Sequence, residues 1–198
     1  GLPPIAFLNE AGISVASNAM PIKDSEPGHF TTHILAAMTT APGFDDALSR
    51  ARRSPRWGGR AIHLMSASGQ RETIEVSGSR LAILPDPNQT VVRVHTNHPL
   101  SEDLKPITHD DPFSRLRLEQ VASAAVRARQ IEPPHITAWF GLDSESSHGS
   151  SLGVDTTARR KRGLVANPDG CITVIIDPAQ RCVYLRKGRG APLERKTL

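Results

Sequence analysis

Residues 61–96 read AIHLMSASGQRETIEVSGSRLAILPDPNQTVVRVHT. Four short runs rich in Ile, Val, Leu and Thr lie at 61–67, 71–77, 80–84 and 90–96. Between them stand SASGQ, SGS and PDPNQ, made of the small, polar and cyclic residues that turns require. Such short connections predict an antiparallel meander, because a parallel pair needs a crossover of a dozen or more residues.

Working outward, residues 2–21 predict two strands around a turn at 9–12, with Ile13, Val15 and Ser17 alternating on one face. Residues 29–40 predict a helix with Phe30, Ile34 and Met38 on one stripe, broken by Pro42 and Gly43. Residues 44–53 predict a second helix that turns Phe44, Ala47, Leu48 and Ala51 inward and carries Asp45 and Asp46 in its first turn. Beyond the meander, 97–111 reads as a loop and 113–130 as the longest helix, ended by Pro133 and Pro134. A short helix at 136–142, a polar stretch at 143–170 and a hairpin of 171–177 with 181–186 complete the chain. Strands and helices come in separate blocks. That order indicates an α+β fold with antiparallel sheets and helix layers, and it excludes a doubly wound parallel sheet.

At 198 residues and 38% apolar content, residues 1–198 make one domain, or most of one, able to bury a core. No apolar run reaches membrane-spanning length, and no basic-then-apolar leader is visible. The net charge of +4 is uneven: residues 158–198 carry ten Lys and Arg against three Asp and Glu, with RRKR at 159–162. Few aromatics accompany these cations and no nucleic-acid motif does, so the run reads as a solvated loop rather than a nucleic-acid surface. Cys171 and Cys182 lie in the last hairpin. Pairing Asp177 with Arg181 sets Cys182 near Ile176 and Cys171 near Lys187, out of disulfide register. Two buried free thiols suit a reducing compartment, which gives a cytoplasmic expectation.

Few residues announce chemistry by spacing. His29 and His33 stand i,i+4 without the glutamate of a zinc-protease helix, and read as surface histidines. His95 and His98 flank the end of a strand and read as hydrogen-bonded histidines. Glu72 and Glu75 fall on opposite strand faces and make no local acid/base pair. Asn97 ends a strand and Asn18 follows one. Two amides converging there could donate to a developing oxyanion, although asparagine at a strand end is most often a turn residue.

The stretch from Val91 to His98, VVRVHTNH, resembles the HTNH signature of the acyl-coenzyme A:6-aminopenicillanic-acid acyltransferase (isopenicillin-N acyltransferase-like) family, a branch of the N-terminal nucleophile hydrolases. Asn9, Gly12, Ile13, Val15 and Asn18 are similar to that family's strand–turn–strand pattern, and ITVIIDPAQRCVYLRKGRGAP resembles its closing hairpin. The resemblance covers nearly the whole chain. It implies an αββα sandwich, incomplete at the front. It also implies an amide hydrolase or N-acyltransferase working on a small acylated substrate through the thioester of an N-terminal Cys. The nucleophile would lie upstream of Gly1, on a preceding segment or partner chain. The resemblance makes Asn97 and Asn18 the oxyanion donors and Arg159 or Arg160 the substrate-binding arginine. It implies no resident cofactor or metal, with acyl-coenzyme A a potential co-substrate, and neither a nucleic-acid nor a membrane partner. The alternative is a catalytically inactive binding domain of the same fold.

Overall fold

A computed structural model describes residues 6–86, 92–109, 111–127, 131–134, 136, 172–187 and 191–198. Its first two strands, Ala6–Leu8 (β1) and Ile13–Ala19 (β2), pair antiparallel. Asn9 builds the turn between them. Its Oδ1 accepts from the Ile13 amide at 2.9 Å, and its Nδ2 donates to the carbonyls of Thr39 and Ala41 at 3.1 and 2.9 Å. One side chain therefore closes the hairpin and ties it to the end of the first helix. Gly12 completes the turn at φ +75°, where an added Cβ would stand 2.7 Å from the Ala67 Cβ.

Arg60–Ser66 (β3), Arg71–Val76 (β4) and Leu81–Ile83 (β5) continue the sheet in the order β1-β2-β3-β4-β5, antiparallel throughout. Three of the four expected meander strands are thus present within a residue or two. The fourth differs: 92–96 is not a strand. Its polar groups are taken by other partners. The Arg93 guanidinium donates to the carbonyls of Leu84 and Pro85 at 3.2 and 3.0 Å, and the Thr96 carbonyl accepts from the Asn18 side chain.

The register places Val15 beside Leu64 and Ile62 beside Ile74. Ile13, Val15, Ile62, Leu64, Ile74 and Val76 therefore share one apolar face. Two helices cover it, Thr31–Met38 (α1) and Phe44–Arg53 (α2), burying Ile34, Leu35, Met38, Ala47 and Ala51 against the strands. In α2, Asp45 and Asp46 sit in the first turn and Arg50, Arg52 and Arg53 in the last, both favourable to the helix dipole. The expected stripe in α1 is corrected. The helix begins after Phe30, which is 56% exposed, and the buried set is Ile34, Leu35 and Met38.

The loop after residue 96 contains a short 3-10 turn, Lys105–Ile107, and leads to Pro112–Arg127 (α3). Asp111 caps α3 by accepting from the Ser114 amide at 3.0 Å, and Pro112 takes the first turn, where no amide is needed. Ile172–Asp177 (β6), Cys182–Lys187 (β7) and Glu194–Thr197 (β8) form a second antiparallel sheet. Its hairpin register differs by one residue from the expected one: Asp177 faces Cys182. The turn is one residue longer, with Arg181 at φ +49° and the Gln180 amide bonded to Asp177 Oδ1 at 3.0 Å. Cys182 remains a buried free thiol, while Cys171 lies outside the described residues, as does the expected helix at 136–142 apart from Ile136. No helix among the described residues is long and apolar enough to cross a membrane.

Candidate functional site

Strand alternation gives the second face of the large sheet a different character. Asn18, Ala61 and Glu75 form one cross-strand row, and Ala16, His63 and Thr73 the next. Ala61 is small, and His95 bridges over its position to reach both ends of the row. The His95 Nε2 lies 2.8 Å from Glu75 Oε1, and its Nδ1 lies 3.0 Å from Asn18 Nδ2. Glu75 is fully buried and His95 nearly so. Glu75 also accepts the amides of Leu100 at 2.6 Å and Ser101 at 2.9 Å. The carboxylate thus anchors the whole segment that carries His95, Thr96 and Asn97.

The proton positions follow by exclusion. A carbonyl only accepts, so the amide nitrogen of Asn18 faces the Thr96 oxygen and its Oδ1 faces His63. His63 Nε2 must then donate to that Oδ1, at 2.8 Å, and its Nδ1 accepts from the Thr73 hydroxyl at 3.2 Å. Burial, with the charges of His95 and Arg93, lowers the His63 pKa to about 4, so the ring is neutral at pH 7. Burial alone would raise the Glu75 carboxyl. The His95 ring and the amides of Leu100 and Ser101 outweigh that effect and hold it below its ordinary value, as a carboxylate.

Asn97 is held from three sides. Its backbone amide donates to Ser114 Oγ at 2.7 Å, its Oδ1 accepts from Arg117 Nη2 at 2.9 Å, and its Nδ2 donates to the Ala19 carbonyl at 2.9 Å. One Nδ2 hydrogen has no acceptor among the described residues, on a half-exposed side chain. The Ser114 hydroxyl also meets His98 Nδ1 at 2.8 Å, and burial lowers the His98 pKa.

The structure therefore brings Asn18 and Asn97 to the same end of β2. It uses them differently. The Asn18 amide nitrogen donates to the Thr96 carbonyl and lies 3.0 Å from His95 Nδ1, which itself meets that carbonyl at 2.6 Å, so this side chain holds the segment in place. Asn97 keeps one Nδ2 hydrogen that meets no acceptor among the described residues. Arg159 and Arg160 lie outside the described residues. His95 and His98 are hydrogen-bonded as expected. The rings of His29 and His33 stand 6.4 Å apart, and no cluster of three or more metal-ligating side chains occurs among the described residues.

Two hollows flank this end of the sheet. The larger, about 770 Å³, has Asn18, His63 and Thr73 on its wall with Val174 and Ile176 of β6, so both sheets line it. The smaller, about 410 Å³, starts at Ala19, whose carbonyl holds the Asn97 amide. Sequence reasoning missed Glu75, His63, Ser114 and Arg117 as parts of this assembly. A charged residue at an inward strand position, as in TIEV, was the available signal that Glu75 needed a partner. In comparison with known proteins, no family model matches the chain and no curated protein matches it.

Proposed function

We propose that this chain is the C-terminal part of a cysteine N-terminal nucleophile amide hydrolase or N-acyltransferase. On this reading the two sheets are the inner layers of an αββα sandwich, and a Cys-bearing segment from outside these residues supplies the attacking sulfur. The observation that carries it is Asn97: an amide fixed through its oxygen, its backbone and one hydrogen, with a single N–H that meets no acceptor among the described residues. A donor held this way stabilises negative charge without reorganising as the charge forms.

The reaction follows from that assignment. The thiol attacks the amide carbon, its proton passing to the nucleophile's own α-amine. The carbonyl oxygen becomes an oxyanion beside that Asn97 N–H. The C–N bond breaks and the proton leaves with the amine. Water or a second amine then takes the acyl group from the thioester. Asn18, His95 and Glu75 are positioning residues in this scheme, because they act by holding the segment that carries Asn97. A cytoplasmic site, where Cys182 stays a thiol, belongs to the same proposal.

The test is to express the full reading frame that encodes this chain and to measure hydrolysis of acyl p-nitroanilides. The expected product carries Cys at a new N-terminus and loses activity on alkylation. Asn97→Ala should lower kcat by about 10²- to 10³-fold with little change in KM. Activity unaffected by Asn97→Ala, or a mature protein with no N-terminal Cys, would overturn the proposal and favour a binding domain of the same architecture.

A further inference from the structure

The smaller hollow has features that the amide chemistry does not use. Phe30 and Trp57 stand on its wall with ring centroids 5.0 Å apart and planes tilted by 57°. They are 56% and 52% exposed, although side chains of this size are normally covered. Arg60, the first residue of β3, lines the same hollow, and its guanidinium pairs with no carboxylate among the described residues.

The backbone under these side chains is fixed. His29 donates to the Pro55 carbonyl at 3.0 Å, and Trp57 donates to the His29 carbonyl at 3.2 Å. Gly28 lies so close to Arg56 that a Cβ would meet its backbone at 2.6 Å. Gly59 is equally tight against the Met20 carbonyl, at 2.5 Å. The backbone that carries the exposed rings is therefore held in place, which lowers the ordering cost of a ligand. Asp24, the carboxylate that also lines the hollow, is engaged through one of its oxygens. Its Oδ2 accepts from the Ser77 hydroxyl at 2.6 Å and from the Ser79 hydroxyl and amide at 2.9 and 3.1 Å. Arg60 is the one cation among the side chains that line the hollow.

We propose that this hollow binds a small aromatic carboxylate, its ring against Phe30 and Trp57 and its carboxylate on Arg60. A volume of about 410 Å³ is within the range of small-molecule sites. Planar rings stack on tilted aromatic pairs, and a guanidinium takes a carboxylate through two parallel hydrogen bonds. The inference does not rest on the amide chemistry. Where both hold, the site begins at Ala19, whose carbonyl accepts from the Asn97 side chain, and would receive the ring-bearing end of the substrate.

Calorimetric titration tests it with indole-3-acetate as the probe, against indole-3-acetamide, which lacks the charge, and cyclohexylacetate, which lacks the aromatic ring. Indole-3-acetate should bind with a Kd of about 1 mM or below, and each control about tenfold more weakly. Trp57→Ala and Arg60→Gln should each weaken indole-3-acetate about tenfold, and Arg60→Lys less, with circular dichroism and Tm unchanged. Both side chains are at the surface, so the variants fold. Binding that is undetectable, equal for the acid and its amide, or indifferent to Arg60→Gln overturns the proposal. Because the readout is binding alone, a negative result leaves the Asn97 kinetics as a separate question.

Discussion

At the scale of single residues, the open face of the sheet is decided by who can donate and who can accept. His63 is held neutral because both of its nitrogens are occupied as those of a neutral ring and burial penalises its charge. That has a measurable consequence. A histidine whose folded pKa is depressed contributes stability that is complete above its unfolded value of 6.5 and is lost as pH falls towards about 4. His98, also lowered, acts in the same sense. Glu75 is lowered too, so its contribution stays intact above its ordinary value of 4.5 and is lost only below it. Urea denaturation should therefore show stability falling by about 3 kcal/mol from His63 alone between pH 7 and pH 4. NMR should show the His63 ring keeping its Nε2 proton and neutral shifts at pH 5.5. A His63 titration near 6.5 would refute the tautomer assignment and the network built on it. Little of this was legible in the sequence. The partners of His63 and Glu75 are 45 and 20 residues away, and strand periodicity reports the face of a residue but not what crosses that face.

At the scale of elements, local rules succeeded where the element was its own explanation. The α2 boundaries, its acidic first turn and its inward alanines came directly from the 3.6-residue period. The hairpins β1–β2, β3–β4 and β4–β5 came from their turns. The rules failed where tertiary contacts competed. Residues 92–96 have strand composition, yet side-chain bonds to Asn18 and Glu75 override it. Phe30 fits the helical stripe, but the chain enters α1 only after it. β8 is a short charged strand, ERKT, with no apolar alternation to reveal it. The loops between elements obey space rather than pattern. An alanine at Gly59 would place its Cβ 2.5 Å from the Met20 carbonyl oxygen and from Ile22 Cγ1, whereas at neighbouring Gly58 a Cβ meets nothing within 4 Å. Gly59→Ala should cost about 1–3 kcal/mol, and Gly58→Ala should be neutral or stabilising by about 0.4–1 kcal/mol. Thermal melts of the two variants side by side check this, and equal Tm values would show that the Met20–Gly59 approach is not a real constraint.

For the whole molecule, the segregated order of strands and helices was enough to give the α+β class, because each sheet closes on neighbours in sequence. How the two sheets stand to each other was not legible, since that depends on which faces are left uncovered. The large sheet spends its apolar face on α1 and α2. Its other face is polar and shares a hollow with β6. The two sheets consequently differ in what holds them. β2, β3 and β4 are flanked on both sides and carry Ile13, Val15, Ile62, Leu64, Ile74 and Val76, all almost fully buried. In the second sheet Cys182 is buried, but β8 is exposed along its length and Val174 is 42% exposed. Protection from hydrogen exchange tracks buried contacts, so amides should fall into two classes. The β2–β4 amides should exchange only by global unfolding, with free energies that match the urea value. Those of β6–β8 should exchange orders of magnitude faster, through an opening that leaves the large sheet intact. Exchange followed by mass spectrometry resolves the two sets of peptides. Equal protection would mean that the sheets unfold as one cooperative unit, and that the shared hollow is a sealed core rather than an accessible cleft.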